Sequence, residues 1–182
     1  MKNSQGIYIN ELPKSNLVKR LLWNVVYRIL IKPFPSFFFR KWRILIYNLF
    51  GAKVDMTANI YSSAKVSSPW NLIMHSNACV GPYVIVDNGS SVTIHKNATV
   101  SQHSYICTSS HDIYHKHHKL ISAPIEICED AWIAAGVFIG MGCIIGTGSV
   151  VGARAVVVKN VDPWTVVAGN PARKIKDRQF KD

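Results

Sequence analysis

The sequence predicts a mainly β chain wound as a hexapeptide β-helix, and two coincident columns of residues carry that prediction. Ile127, Ile133, Ile139, Ile145, Val151 and Val157 stand at strict six-residue spacing. With short interruptions the same beat runs back through Ile94, Val100 and Ile106, then Met74, Val80 and Val86, then Val54, Ile60 and Val66, so the repeat covers residues 54–158. The second column lies two residues before the first and is usually small: Ala52, Ala58, Ala64, Ala78, Ala98, Ser104, Ala131, Cys143, Ser149 and Ala155. A six-residue beat is neither the 3.6 period of an amphipathic helix nor the 2 of an alternating strand. Three hexads make a coil with one aliphatic residue per flat side, and coils stacked about 4.8 Å apart bury a ladder that no single coil could bury alone. Gly81, Gly140, Gly146 and Gly152 directly follow aliphatic residues, where the corners are expected to need a permissive backbone.

Ahead of the repeat lies a segment of different character. Between Leu12 and Val54 there is no acidic residue, while Lys14, Lys19, Arg20, Arg28, Lys32, Arg40, Lys41, Arg43 and Lys53 hold much of the formal +11 charge. Aromatic residues from Trp23 to Phe50 alternate with these cations. The pattern predicts two short helices, about 17–31 and 36–49, separated by Pro33 and Pro35, which cannot continue a helix. Neither is long or apolar enough to span a bilayer. Their expected primary role is to cap the open edge of the first coil. Capping explains the aromatics and leaves the missing acids unexplained, so association with an anionic membrane face is a second expected role. No recognised nucleic-acid motif accompanies the basic patch, which argues against a nucleic-acid partner.

The domain organisation is therefore a basic aromatic helical segment over 1–50, a β-helix over 51–162 with an inserted loop at 107–126, and a tail over 163–182. A length of 182 residues with 48% hydrophobic content suits one such domain. Cys79, Cys107, Cys128 and Cys143 sit beside or within the columns, in no metal-ligand or redox spacing, and read as packing residues in a reducing compartment. The polar start MKNSQGIYINELPKSN has no signal-peptide character, so a cytoplasmic location is expected.

Between Ile106 and Ile127 the beat stops, and the intervening loop holds His111, His115, His117 and His118. A loop thrown from a rigid scaffold is where function concentrates. Histidines there suit general base catalysis on an attacking hydroxyl. They equally suit zinc held by three imidazoles with an open position, for which His75, His95 and His103 also enter the count. Asp87 and Asn88 occupy a widened corner between Val86 and Ile94, where Asp-Asn-Gly is also strong turn chemistry.

The run Cys107-Thr108-Ser109-Ser110-His111-Asp112, then Ala123-Pro124-Ile125, Asp130-Ala131-Trp132-Ile133 and the ending Val167-Ala168-Gly169-Asn170-Pro171-Ala172-Arg173, resembles the hexapeptide-repeat O-acetyltransferases. These include the galactoside and maltose acetyltransferases and, most closely, the proposed acetyltransferases of colanic-acid and other exopolysaccharide clusters. The resemblance covers nearly the whole chain. It implies a left-handed parallel β-helix of hexapeptide repeats with an N-terminal helical cap and a histidine-containing loop excursion, assembled as a homotrimer. It further implies acetyl-CoA as acyl donor in a groove between subunits, no metal, and as acceptor a sugar hydroxyl of an exopolysaccharide or lipid-linked saccharide precursor. By the same resemblance His111 is the general base, and Asp112 either orients its ring or faces solvent. Ala135, where many relatives have serine, offers only its backbone N–H to the oxyanion. Trp132 packs beside the pantetheine arm or is a core aromatic, and Ala153 contacts that arm through its backbone. Lys159, Arg173 and Lys176 fall where relatives place cations for the nucleotide, and Asp87 and Asn88 are candidates for the acceptor. The alternatives are a zinc hydratase on the same fold and a non-catalytic scaffold.

Overall fold

In the computed structural model, which describes residues 14–179, every aliphatic residue of the six-residue column lies in one continuous interior. Each hexad contributes a strand of two or three residues whose aliphatic residue is buried while its neighbour faces outward. These strands stack in parallel into three faces. The first carries Val54, Met74, Ile94, Ile127 and Ile145. The second carries Ile60, Val80, Val100, Ile133, Val151 and Val167. The third carries Val66, Val86, Ile106, Ile139 and Val157. The chain is thus a left-handed parallel β-helix of about six turns, and its stacking register follows the sequence column residue for residue. All ten small residues of the second column are buried as well.

The glycines after the aliphatic residues serve a different purpose from the one expected. Left-handed backbone occurs two residues further on, at Tyr83, Gly142, Gly148 and Arg154. At Gly146 it is the next coil that excludes a side chain, since a Cβ there would stand 2.5 Å from the Pro163 nitrogen and 2.7 Å from the Val161 oxygen. The other left-handed corners use residues such as Asn77, Asn97 and Asp130, types that tolerate this conformation.

Helix α1 (Lys14–Val26) ends in a π-helical turn, Tyr27–Ile31, and α2 spans Arg40–Leu49. Residues 36–39 form a turn, so α2 begins later than the sequence suggested. Trp23 and Tyr47 are buried against each other with ring centroids 4.9 Å apart. The cap is more than apolar cover, because its side chains donate to carbonyls of the first coil. Trp23 Nε1 reaches Val66 O at 2.7 Å, Arg43 Nε reaches Ile60 O at 2.8 Å, and Arg40 Nη1 reaches Thr57 O at 2.6 Å. Tyr27 Oη reaches Ser62 O and Asn48 Nδ2 reaches Val54 O. An edge whose acceptors would otherwise lie under apolar side chains is thereby satisfied. Arg43 is fully buried, and burial lowers its pKa.

At the other end, two segments of the expected tail pair with the solenoid. Thr165–Ala168 adds a parallel strand to the second face, and Arg173–Asp177 turns back antiparallel against it. Among the described residues no helix is long and apolar enough to cross a membrane.

Candidate active site at two corners of the β-helix

The loop that interrupts the repeat is a β-hairpin. Ser109–His111 pairs antiparallel with Leu120–Ser122, placing His111 opposite Leu120 at the far end of the ladder. The hairpin leaves the corner between the third and first faces, because Tyr105–Cys107 precedes it on the third and Ile125–Ile127 follows it on the first. Beyond the ladder, Asp112 N–H donates to Lys119 O, and the tip closes through His118, whose φ is +45°. This tight tip brings the His118 carbonyl to 2.6 Å from His111 Nδ1. A carbonyl can only accept, so Nδ1 carries the proton and Nε2 is the basic nitrogen of the neutral ring.

Asp112 Oδ1 accepts the Tyr114 N–H at 2.9 Å. The His111 ring is held through the His118 backbone carbonyl, whose position depends on a hairpin register the sequence does not display. His115 Nδ1 accepts the His117 N–H. His95 Nε2 is engaged by Glu126 at 2.6 Å, and the His75 ring stacks on His95 with centroids 5.0 Å apart. His103 lies on a different corner, and among the described residues no group of three His, Cys, Asp or Glu side chains is placed to hold a metal.

The residues expected to line the donor fall elsewhere. Trp132 stands on the outer side of the second face, 49% exposed, with Nε1 donating to Ser101 Oγ at 3.0 Å, which rules out the core alternative. Ala135 lies at the corner between the second and third faces, and Ala153 lies at the same corner one coil further along. The two turns are joined by Arg154 N–H donating to Ala135 O at 2.9 Å. Neither alanine projects anything beyond Cβ, so backbone is accessible at these two turns, with the exposed Arg154 side chain beside Gly136.

Lys159 and Arg173 meet at a third place, a cleft of about 390 Å³ over the last coil. Lys174 lines the same cleft, with Nζ held by Asp177 at 2.6 Å, whereas Lys176 does not line it. The pairing of the returning strand carries a register shift between Val166 and Val167, so its alternation is broken and Lys174, which the resemblance did not single out, lies at the cleft.

Of the two acceptor candidates, only one presents its side chain. Asp87 is half-buried directly beneath Cys107, where the hairpin leaves the solenoid, and Oδ2 accepts the Tyr105 hydroxyl at 3.2 Å. Burial, reinforced by that carboxylate, pushes the Tyr105 phenol up to about 12. Asn88 is fully buried instead. Its Oδ1 accepts the Ser68 N–H at 2.8 Å and its Nδ2 donates to Ser68 O at 2.7 Å. The expectation for the Asn88 side chain is thereby corrected, because both ends of its carboxamide hold one coil to the next.

A hairpin histidine oriented through its own loop and a stacked track of small residues on a hexapeptide solenoid together define a class of enzyme. The chain belongs to the hexapeptide-repeat acyltransferases. It is 38% identical over 163 residues to the proposed colanic acid biosynthesis acetyltransferase WcaF of Escherichia coli (strain K12), spanning 90% of this chain and 89% of that protein. It is 31% identical over 138 residues to galactoside O-acetyltransferase of the same strain, spanning 70% and 68%. Among solved structures, galactoside acetyltransferase in complex with coenzyme A matches with a TM-score of 0.81 at 25% identity, over 97% of this chain and 92% of that one. A maltose O-acetyltransferase from Clostridium difficile 630 matches in fold with a TM-score of 0.83 at 24% identity, over 92% and 90%. No family model matches the chain.

Proposed function

We propose that the protein is an acetyl-CoA-dependent O-acetyltransferase acting on a sugar hydroxyl of an exopolysaccharide or lipid-linked saccharide precursor. The observation that carries this reading is the 2.6 Å contact of His111 Nδ1 with the His118 carbonyl. It leaves Nε2 as the proton-accepting nitrogen of the ring on an exposed hairpin, and a poorly nucleophilic hydroxyl needs such an acceptor. When bound, acetyl-CoA supplies the thioester whose acyl carbon accepts the sugar oxygen and whose thiolate departs. His111 Nε2 takes the hydroxyl proton as the C–O bond forms and returns it to the departing sulfur, so an ester and a thiol leave. The Ala135 N–H is the donor for charge developing on the carbonyl oxygen. Trp132 and Ala153 border the pantetheine arm. Lys159 and Arg173 face one cleft and suit the phosphates of the nucleotide end. Asp87, beside the root of the hairpin, is the acceptor contact.

A single subunit places these groups at different corners of a triangular prism. The His111 hairpin rises between the third and first faces, and the alanine track runs between the second and third. A complete site then requires the hairpin of one subunit to meet the track of a neighbour. A homotrimer closed by one repeated heterologous contact provides three such sites.

The outer surface of the cap supports peripheral association with the cytoplasmic membrane face. Leu17, Leu21 and Val25, with Val18 and Leu22, form one exposed stripe of α1. Trp42, Leu45 and Leu49 form another on α2, and Leu22 and Leu49 border a common cleft that joins them. Phe37 and Phe38, in the turn before α2, stand 87% and 80% exposed. Apolar side chains amid cations with no intervening carboxylate suit an anionic lipid surface.

The test is acetyl transfer to a panel of saccharides. His111→Ala should lower kcat by roughly 10²–10⁴-fold while acetyl-CoA affinity stays unchanged. A variant that retains wild-type kcat overturns the assignment of the base.

A further inference from the structure

A second cleft, of about 540 Å³, lies between the π-helical turn of the cap and the outer side of the third face. Arg28 and Lys32 enter it from the turn, and Lys65 enters it from the first coil. Tyr27 sets the position of the turn by donating its hydroxyl to Ser62 O at 3.2 Å. Among the described residues no carboxylate lines this cleft, and none of the three cations forms an ion pair. Three like charges gathered round one concavity repel one another unless an anion sits among them. One wall is aromatic: Tyr83 and His103 stack with centroids 5.1 Å apart and planes 8° apart. Both have left-handed backbone, at φ +57° and +60°, which aims the two rings outward from the corner. A cationic floor beside a flat ring wall suits a phosphorylated ligand with a ring of its own.

The place of this cleft on the solenoid says which ligand it serves. Tyr83 and His103 occupy the same corner as Ala135 and Ala153, lower in the stack. Gly136 N–H donates to Gln102 O at 2.9 Å, so the cleft begins one coil beneath the Ala135 turn. Lys65 lies three coils below that turn, on the order of 14 Å away at ordinary strand spacing. Lys159 and Arg173 lie in the opposite direction, over the last coil. The two cation groups therefore flank the Ala135 turn from opposite ends, and one donor molecule's nucleotide does not require both.

The geometry points to a phosphate or diphosphate site for the acceptor: Arg28, Lys32 and Lys65 hold the phosphoryl end of a saccharide whose hydroxyl reaches the Ala135 turn, with Tyr83 and His103 as the ring wall. This rests on the acetyl-transfer reading for its role, not for its existence. Sugar diphosphates reach a cell's enzymes either on a nucleoside or on a polyprenyl lipid, and the shared chemistry is the diphosphate.

The experiment titrates inorganic pyrophosphate into wild type, into the double variant Arg28→Gln/Lys65→Gln and into Arg173→Ala, with acetyl-CoA titrated in parallel. The double variant should bind pyrophosphate at least about tenfold more weakly while its acetyl-CoA affinity stays within about twofold. Pyrophosphate affinity unchanged in the double variant, or lost only in Arg173→Ala, overturns the proposal. If wild type fails to bind acetyl-CoA but pyrophosphate binding still falls in the double variant, the transfer reading fails and the cleft stands. The source is read from two further titrations. A nucleoside diphosphate that binds more tightly than pyrophosphate and loses that gain in Tyr83→Ala supports the nucleotide-linked form. A polyprenyl diphosphate in detergent micelles that shows the gain instead supports the lipid-linked form.

Discussion

Asn88→Ala separates the role that the sequence suggested for this residue from the one the structure gives it. The substitution removes the acceptor of the Ser68 N–H at 2.8 Å and the donor to the Ser68 carbonyl at 2.7 Å, and Ser68 is itself fully buried. Each orphaned backbone group costs about 1–3 kcal/mol, so the sum lies at roughly 2–6 kcal/mol. Water entering the space left by the carboxamide recovers part of this, which favours a value of about 3 kcal/mol. For a chain of this size 1 kcal/mol moves Tm by about 2–4 °C, so a fall of roughly 6–12 °C is expected at fixed protein concentration. The assay is a thermal melt of the variant paired with steady-state kinetics on any acceptor found in the saccharide panel. The KM for that acceptor should stay within about twofold well below the melt. A Tm unchanged within about 2 °C together with a raised acceptor KM would refute the reasoning and return Asn88 to the acceptor site.

Three further outcomes follow from the same geometry. Ile133→Ala, in the middle of the buried ladder, should cost about 2–5 kcal/mol in urea unfolding, whereas Ile144→Ala, whose side chain faces outward, should cost less than about 1 kcal/mol. Arg173→Ala should weaken acetyl-CoA binding in calorimetry by about tenfold and Lys176→Ala by less than about twofold, since only the first lines the cleft over the last coil. Vesicles rich in anionic lipid should retain the protein at low salt and release it as salt rises, and Leu21→Glu/Leu45→Glu should abolish retention; equal binding to neutral vesicles would contradict the electrostatic part of that account.

The solenoid was legible because its periodicity repeats the same physical requirement many times. An aliphatic residue at every sixth position has to be buried, and each inward residue then fixes the register of the next coil. The helical cap was legible for the opposite reason, as apolar side chains collected where no repeat accommodates them. What the sequence could not show were contacts made between coils or across irregular turns. Asn88 meets Ser68 twenty residues earlier, a pairing visible only once the coils are stacked. The His118 carbonyl reaches His111 through a hairpin whose ladder stops at Leu120, and no composition signal reveals that register. Lys174, not Lys176, lines the cleft over the last coil, on a returning strand whose register shift the sequence does not show. The glycines showed where neighbouring coils approach closely, while the left-handed turns lay two residues away at positions filled by several residue types.

The central claim is that a working site combines His111 of one subunit with the Ala135 and Ala153 track of another, and subunit mixing tests it most directly. His111→Ala removes the base, and Ala153→Trp blocks the track with a bulky side chain. Each variant alone should be inactive. Co-expressed in equal amounts and purified as mixed assemblies, they should recover about a third of wild-type acetyl transfer, because every mixed cyclic trimer has one junction of its three with both native parts. No recovery from mixed assemblies that demonstrably contain both variants would contradict the account, since a site built within one subunit can never be restored by a neighbour.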